Sequence, residues 1–151
     1  MQVFWKSEKH VFVYEDDMIV QVRGEAHSLE ALRAMETGLQ LARAQFRGDV
    51  FGGLLLIEEG APAPTGELAK LQREMVKSFA SDERVRIALV LEGEGTLVAL
   101  KRTIARGLFS GQRRVITGTL REGARWLARE LGSPGREDAI VDFAESLRTW
   151  K

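Results

Sequence analysis

The hydrophobic pattern changes period repeatedly along the chain. Val11-Phe12-Val13-Tyr14 is a β-prone run, Glu15-Asp16-Asp17 interrupts it, and Met18 to Gly24 resumes it. Two such runs around an acidic turn predict a β-hairpin, and Val3-Phe4-Trp5 adds a candidate edge strand. From Ser28, a suitable N-cap, the period lengthens to that of a helix, with Leu29, Leu32, Met35, Leu39, Ala42 and Phe46 recurring on one stripe up to Gly48. Phe51 to Ile57 is then a continuous apolar run, the pattern of a strand covered on both faces.

The alternation continues downstream. Thr65 can cap a second helix carrying Leu68, Leu71, Met75 and Phe79. Val85 to Leu91 is the next strand. Gly93-Glu94-Gly95 turns the chain, and Thr96 can cap a third helix with Leu97, Leu100, Ile104 and Leu108 inward. Arg114 to Thr117 is a short strand. Thr119 with Glu122 forms a capping box for a helix carrying Leu120, Ala124, Leu127 and Leu131. Gly132-Ser133-Pro134-Gly135 breaks that helix, and Ile140, Phe143, Ala144 and Leu147 mark a terminal one.

Strands alternating with helices imply a parallel sheet with right-handed crossovers. The expected fold is therefore α/β: a mixed, largely parallel sheet of four to six strands, an N-terminal β-hairpin and flanking helices. Residues 1–132 are expected to form the domain and residues 133–151 a helical extension. That extension either packs on its own domain or offers a helix to a partner. Packing at home is favoured, because a short isolated helix is marginal in water.

Composition narrows the class. The 151 residues are 44% hydrophobic and 29% charged, an ordinary globular mixture. The absence of cysteine excludes disulfides and thiolate chemistry. Met1 to His10 has no apolar signal core, and runs such as Leu54 to Ile57 are too short to span a bilayer, so a cytoplasmic protein without integral membrane association is expected. Net charge is zero but uneven: residues 1–100 carry a balance of −5 and residues 101–151 one of +5. Such polarity can steer a partner or favour head-to-tail self-association.

The element order resembles the STAS domain of anti-sigma-factor antagonists and SpoIIAA-like proteins. The local likeness lies in Ile87 to Gly93, Arg106-Gly107-Leu108, Arg114-Val115-Ile116 and Glu122 to Leu127, and it covers roughly residues 10–131. It is similar to the second half of bacterial STAS/SEC14-type proteins. The resemblance implies a non-enzymatic regulatory or protein-interaction module that binds a protein partner or itself. Its SEC14-like branch implies a small-ligand or lipid carrier. In the antagonist branch a phosphoacceptor follows a buried strand, often within Asp-Ser-Ser-Gly. Here Glu58-Glu59, a two-proline insertion and Thr65-Gly66 stand at that place, which makes Thr65 the residue carried over.

Candidate chemistry is sparse. A phosphate on Thr65 would meet free N–H groups at a helix start, whereas an ordinary N-cap explains the same residue. Gly93-Glu94-Gly95 lacks the third glycine of a dinucleotide fingerprint and the Gly-Lys-Ser/Thr of a P-loop. Glu58 and Glu59 sit at the carboxyl end of a strand, where open α/β sheets bind ligands, but neighbours in extended chain point oppositely and make a poor acid/base pair. His10 and His27 are the only histidines and show no metal-binding spacing. No Gly-x-Ser-x-Gly elbow exists. Arg102 and Arg106 share a helix face within a basic stretch, and with Phe109 as its only aromatic that stretch is a poor platform for nucleic acid.

These readings give a non-enzymatic domain without cofactor. Its expected contact surface is Glu58, Glu59, Gly66, Gly93, Gly95, Thr96, Arg102 and Arg106, with Thr65 as the candidate phosphoacceptor. An apolar ligand carrier is the first alternative, and an enzyme working at the Glu58/Glu59 edge the second.

Overall fold

The structure, a computed structural model, describes residues 1–108 and 113–150, and for residues 96, 97, 100, 104, 107 and 108 the backbone alone. Among the described residues there are six strands: β1 (Gln2–Lys6), β2 (His10–Glu15), β3 (Met18–Arg23), β4 (Phe51–Ile57), β5 (Val85–Leu91) and β6 (Arg114–Thr117). The helices are α1 (Leu29–Gln45), α2 (Gly66–Ala80), α3 (Thr96–Leu108), α4 (Leu120–Glu130) and α5 (Glu137–Arg148), with a 3-10 turn at Pro134–Arg136. The expected inward stripe of α3 and Phe109 lie outside the described side chains.

The strands form one sheet in sequential order from β1 to β6. β1, β2 and β3 pair antiparallel, and β3 through β6 pair parallel. The sheet is therefore mixed, with the N-terminal hairpin expected from the sequence. Sequential parallel strands joined by right-handed crossovers send every connecting helix to the same side. α1 and α2 accordingly pack over Phe12, Ile19, Phe51 and Ile87. The chain after β6 has no further strand to reach, so α4 and α5 return across the opposite face, over Val20, Leu54, Leu56, Ala88 and Val90.

Strand alternation divides the side chains between these two layers. On β3, Met18, Val20 and Val22 join the α4/α5 core, while Ile19, Gln21 and Arg23 face the α1–α3 side. The terminal helix is part of the fold: Ile140, Ala144 and Leu147 are buried in the same cluster as the sheet. Burying each such aliphatic side chain contributes about 1.5–3 kcal/mol. Arg136 fixes the entry to α5 by a two-pronged ion pair to Asp17 in the hairpin turn, at 2.8 and 2.9 Å.

Local differences from the sequence reading have local causes. α1 stops at Gln45, before Gly48, because Phe46 turns extended and its ring packs 5.0 Å from that of Phe51. Leu29, expected on the buried stripe, opens α1 at the surface and is 40% exposed. Ser28 and Thr119 cap as expected, each accepting from a backbone N–H three residues on. Thr65 precedes α2 without a side-chain cap bond. Thr96 is already helical, and the Gly95 carbonyl accepts the first bond, from the Ala99 N–H at 3.1 Å.

Candidate functional site

The packing over the α1–α3 face is uneven. Its lower half is closed by aromatic rings, Phe51 meeting Phe46, Phe79 and Tyr14 at 5.0–5.8 Å. Its upper half lies toward the carboxyl ends of the parallel strands. There Leu55, Ile57, Leu89 and Leu91 are only half-buried and floor a cavity of about 390 Å³. Gln72 of α2, with Val98, Lys101 and Ala105 of α3, forms two of its sides. A second cavity of about 390 Å³ shares Leu55, Gln72, Leu89 and Ala105 and extends the space between α2 and α3.

The loop between β4 and α2 is the third wall. Glu58, Glu59, Gly60, Ala61, Ala63 and Pro64 line the cavity, and Ala61 is the buried residue of this loop. Arg23 holds this loop in place: its Nη1 donates to the Pro62 carbonyl at 2.8 Å and to the Glu25 carbonyl at 2.9 Å. The proline-rich insertion is thus a built part of the cavity.

Behind the wall lies a buried polar chain. Gln21 Nε2 donates to His10 Nε2 at 2.9 Å. The His10 ring meets that of His27 edge to face, with centroids 5.3 Å apart. His27 Nε2 in turn lies 3.4 Å from Gln72 Nε2. Both glutamines line the cavity, so each histidine orients a carboxamide on its wall. Burial, then the charge of Arg23, lowers the His10 pKa to about 4. Burial, then Arg23 and His10, lowers that of His27 to about 3. Both rings are neutral near pH 7 and too weakly basic to serve there as general bases. Burial also lowers Arg23, to about 10, leaving it charged.

At the carboxyl ends of β4, β5 and β6 an open cleft adjoins the cavity. Glu58, Glu59, Gly93 and Arg102, four residues singled out from the sequence, come together there with Glu92, Glu94 and Arg148. The two adjacent glutamates line both the cavity and the cleft and have different partners. Glu58 lies 3.5 Å from Arg148, while the side chain of Glu59 covers Gly93, where an added Cβ would sit 2.9 Å from it. Gly93 and Gly95 have φ of +119° and +102°, so this turn requires glycine. Arg102 is committed inward: Nη2 donates to the carbonyls of Leu91 and Gly93, both at 2.8 Å.

The remaining sequence candidates stand apart. Thr65 and Gly66 are exposed at the start of α2, and Arg106 is exposed on α3; none lines the cavity or the cleft. Among the described residues, no group of three or more acidic or histidine side chains is arranged to hold a metal ion, and no helix is long and apolar enough to cross a membrane.

Sequence reasoning missed Arg23, Gln21, Gln72 and the histidine contact. One signal was available for the first two. β3 is an interior strand, and Gln21 and Arg23 take alternate positions on it that a parallel sheet buries. Compared with protein-family models, with curated proteins and with solved structures, the chain has no match.

Proposed function

We propose that this chain is a non-enzymatic ligand-binding module of the STAS/SpoIIAA-like kind, and that it holds a small, mostly apolar molecule between α2 and α3. One observation carries the reading: among the described residues, Leu55, Ile57, Leu89 and Leu91 form the half-buried apolar floor of a cavity of about 390 Å³. Ligand sites have about 300–1,000 Å³ of such concave, mainly apolar space with a few placed polar groups. The place fits as well, since open α/β sheets bind ligands at the carboxyl ends of their strands. The neutral, weakly basic histidines support binding over acid/base chemistry.

The test is occupancy. Organic extracts of freshly purified protein, read by mass spectrometry, are expected to contain one enriched small molecule, or else the stripped protein takes up the apolar dye Nile red. Leu55→Trp and Leu89→Trp fill the floor and are expected to abolish both signals while leaving the circular dichroism unchanged. Wild-type protein that carries nothing and takes up no dye would refute the proposal.

Protein interaction is the second reading, supported by one specific feature: α3 carries the exposed cations Lys101 and Arg106, apart from the acidic cleft at the carboxyl ends of the strands. Complementary charge of this kind guides association more than it supplies affinity. Self-association through it would weaken in Arg106→Glu, measured by sedimentation, and unchanged sedimentation would remove this surface from consideration.

A further inference from the structure

Arg23 is a buried cation without a counter-ion. It is 4% exposed, and its Nε is buried with no hydrogen-bond partner. Its hydrogen bonds among the described residues run to two carbonyls, both through Nη1. No carboxylate among the described residues pairs with it. Two acids beside it are engaged elsewhere: Glu58, next to Ile57 opposite Arg23 on β4, is paired with Arg148, and Glu25, two residues on, accepts from the Ser7 hydroxyl. Removing a charge from water costs several kcal/mol unless it is paired. Two carbonyls offset part of that, and pinning the β4–α2 loop needs only a neutral donor. The positive charge itself is therefore unused by the fold, and the side chain lines the cavity.

We infer that the cavity receives an aliphatic monocarboxylate, its carboxylate on the Arg23 guanidinium and its chain along Leu55, Ile57, Leu89 and Leu91. This rests on the ligand-binding reading above and adds the chemical class. The guanidinium edge matches a planar carboxylate in geometry and charge. Gln21 and Gln72, held by His10 and His27, supply neutral amides on the same wall. The second cavity, entered past Leu55 and Leu89, gives the chain further room.

The wall also selects against a phosphate head. Glu58, Glu59 and Glu92 line the cavity, and the other cation on its wall, Lys101, is exposed on α3. His10 and His27 are neutral near pH 7 and add no positive charge. A dianion would meet more repulsion than Arg23 can balance, whereas a monoanion is matched by one guanidinium.

The experiment is calorimetric titration of the purified full chain with hexadecanoate, hexadecanol and hexadecyl phosphate, each below its aggregation concentration. Wild type is expected to bind hexadecanoate about tenfold or more tighter than the alcohol, the scale of a charge-assisted contact. Arg23→Gln is expected to lose that preference and keep its affinity for hexadecanol, which also certifies a folded groove. Arg23→Lys, charged but without the planar fork, is expected to keep part of the preference. If Arg23→Gln fails to fold, the wild-type and Arg23→Lys preferences decide.

Equal wild-type affinity for acid and alcohol, a preference retained in Arg23→Gln, or tighter binding of the phosphate would each overturn the headgroup assignment and leave the groove reading standing. Absence of binding for all three probes would overturn both.

Discussion

His10 and His27 meet edge to face with ring centroids 5.3 Å apart, although one begins β2 and the other sits in the loop before α1. The contact closes a chain from Gln21 to Gln72 and so ties β3 to α2. Two imidazoles this close, with Arg23 acting on both, remain together only while uncharged.

A pH dependence follows. Both folded pKa values, about 4 and about 3, lie below the ordinary 6.5. The unfolded chain therefore takes up protons below about pH 6.5 that the folded chain refuses, and stability falls with pH from there toward the folded values. Asp82, held below the usual carboxylate range chiefly by its hydrogen bond from Arg84, acts in the same direction but only below its ordinary 3.8. Urea midpoints at about pH 7 and about pH 5 therefore isolate the histidines. Wild type is expected to lose stability between them, and the double variant His10→Gln/His27→Gln to lose markedly less. A midpoint equally pH-dependent in both proteins would show that other groups control the acid limb.

The helix starts differ in what their caps contribute. Thr119 accepts from the Glu122 N–H at 3.2 Å and donates to the Glu122 carboxylate at 2.9 Å, whereas Thr65 makes no cap bond. Thr119→Ala is expected to cost about 1 kcal/mol in chemical denaturation, and Thr65→Ala much less. An equal cost at both sites would mean that Thr65 caps α2 in solution.

The fold was legible where one residue type repeats at one period. The hairpin of β2 and β3 and the strand of β4 all follow from such runs, and even the short edge strand β1 was visible in Val3-Phe4-Trp5. The place of the site was partly legible, since Glu58, Glu59, Gly93 and Arg102 do converge at the carboxyl ends of the strands. Its chemistry was not. Arg23 and Gln21 look like ordinary hairpin polar residues until α1, through Met35, and the β4–α2 loop, through Pro62, pack over them. His10 and His27 become one feature only through the hairpin register, which sets His10 opposite Arg23. Arg102 shows the converse: by spacing it shares a face with exposed Arg106, yet its length lets it reach back to the carbonyls of Leu91 and Gly93.

Gly38 in the middle of α1 breaks the usual preference for alanine in helices. A Cβ there would lie 2.3 Å from the Phe4 ring and 2.9 Å from the Phe4 Cβ, so the edge strand β1 would have to move. Helix propensity favours Gly38→Ala by about 1 kcal/mol, and overpacking opposes it by about 1–3 kcal/mol. The clash involves the root of the side chain, so overpacking is expected to win and lower the melting temperature. Phe4→Ala in the same background should restore the benefit of alanine relative to Phe4→Ala alone. A Gly38→Ala protein that melts higher than wild type would show that β1 yields freely.

Arg148 is the tie between α5 and the acidic cleft. Its Nη2 reaches Glu92 at 2.9 Å, its Nη1 reaches Glu58 at 3.5 Å, and its Nε lies 3.3 Å from Glu145. One cation thus balances the ends of two parallel strands and a helix, with Glu59 and Glu94 also lining the cleft. Arg148→Gln preserves much of the packing but leaves these carboxylates facing one another. The pairs are partly solvated, so the expected loss lies between exposed and buried cases, about 1–3 kcal/mol at low salt. The origin is electrostatic, and the gap between variant and wild type should therefore narrow at about 1 M salt, where charges are screened within about 3 Å. A gap that does not change with salt would assign the role of Arg148 to the packing of its aliphatic stem.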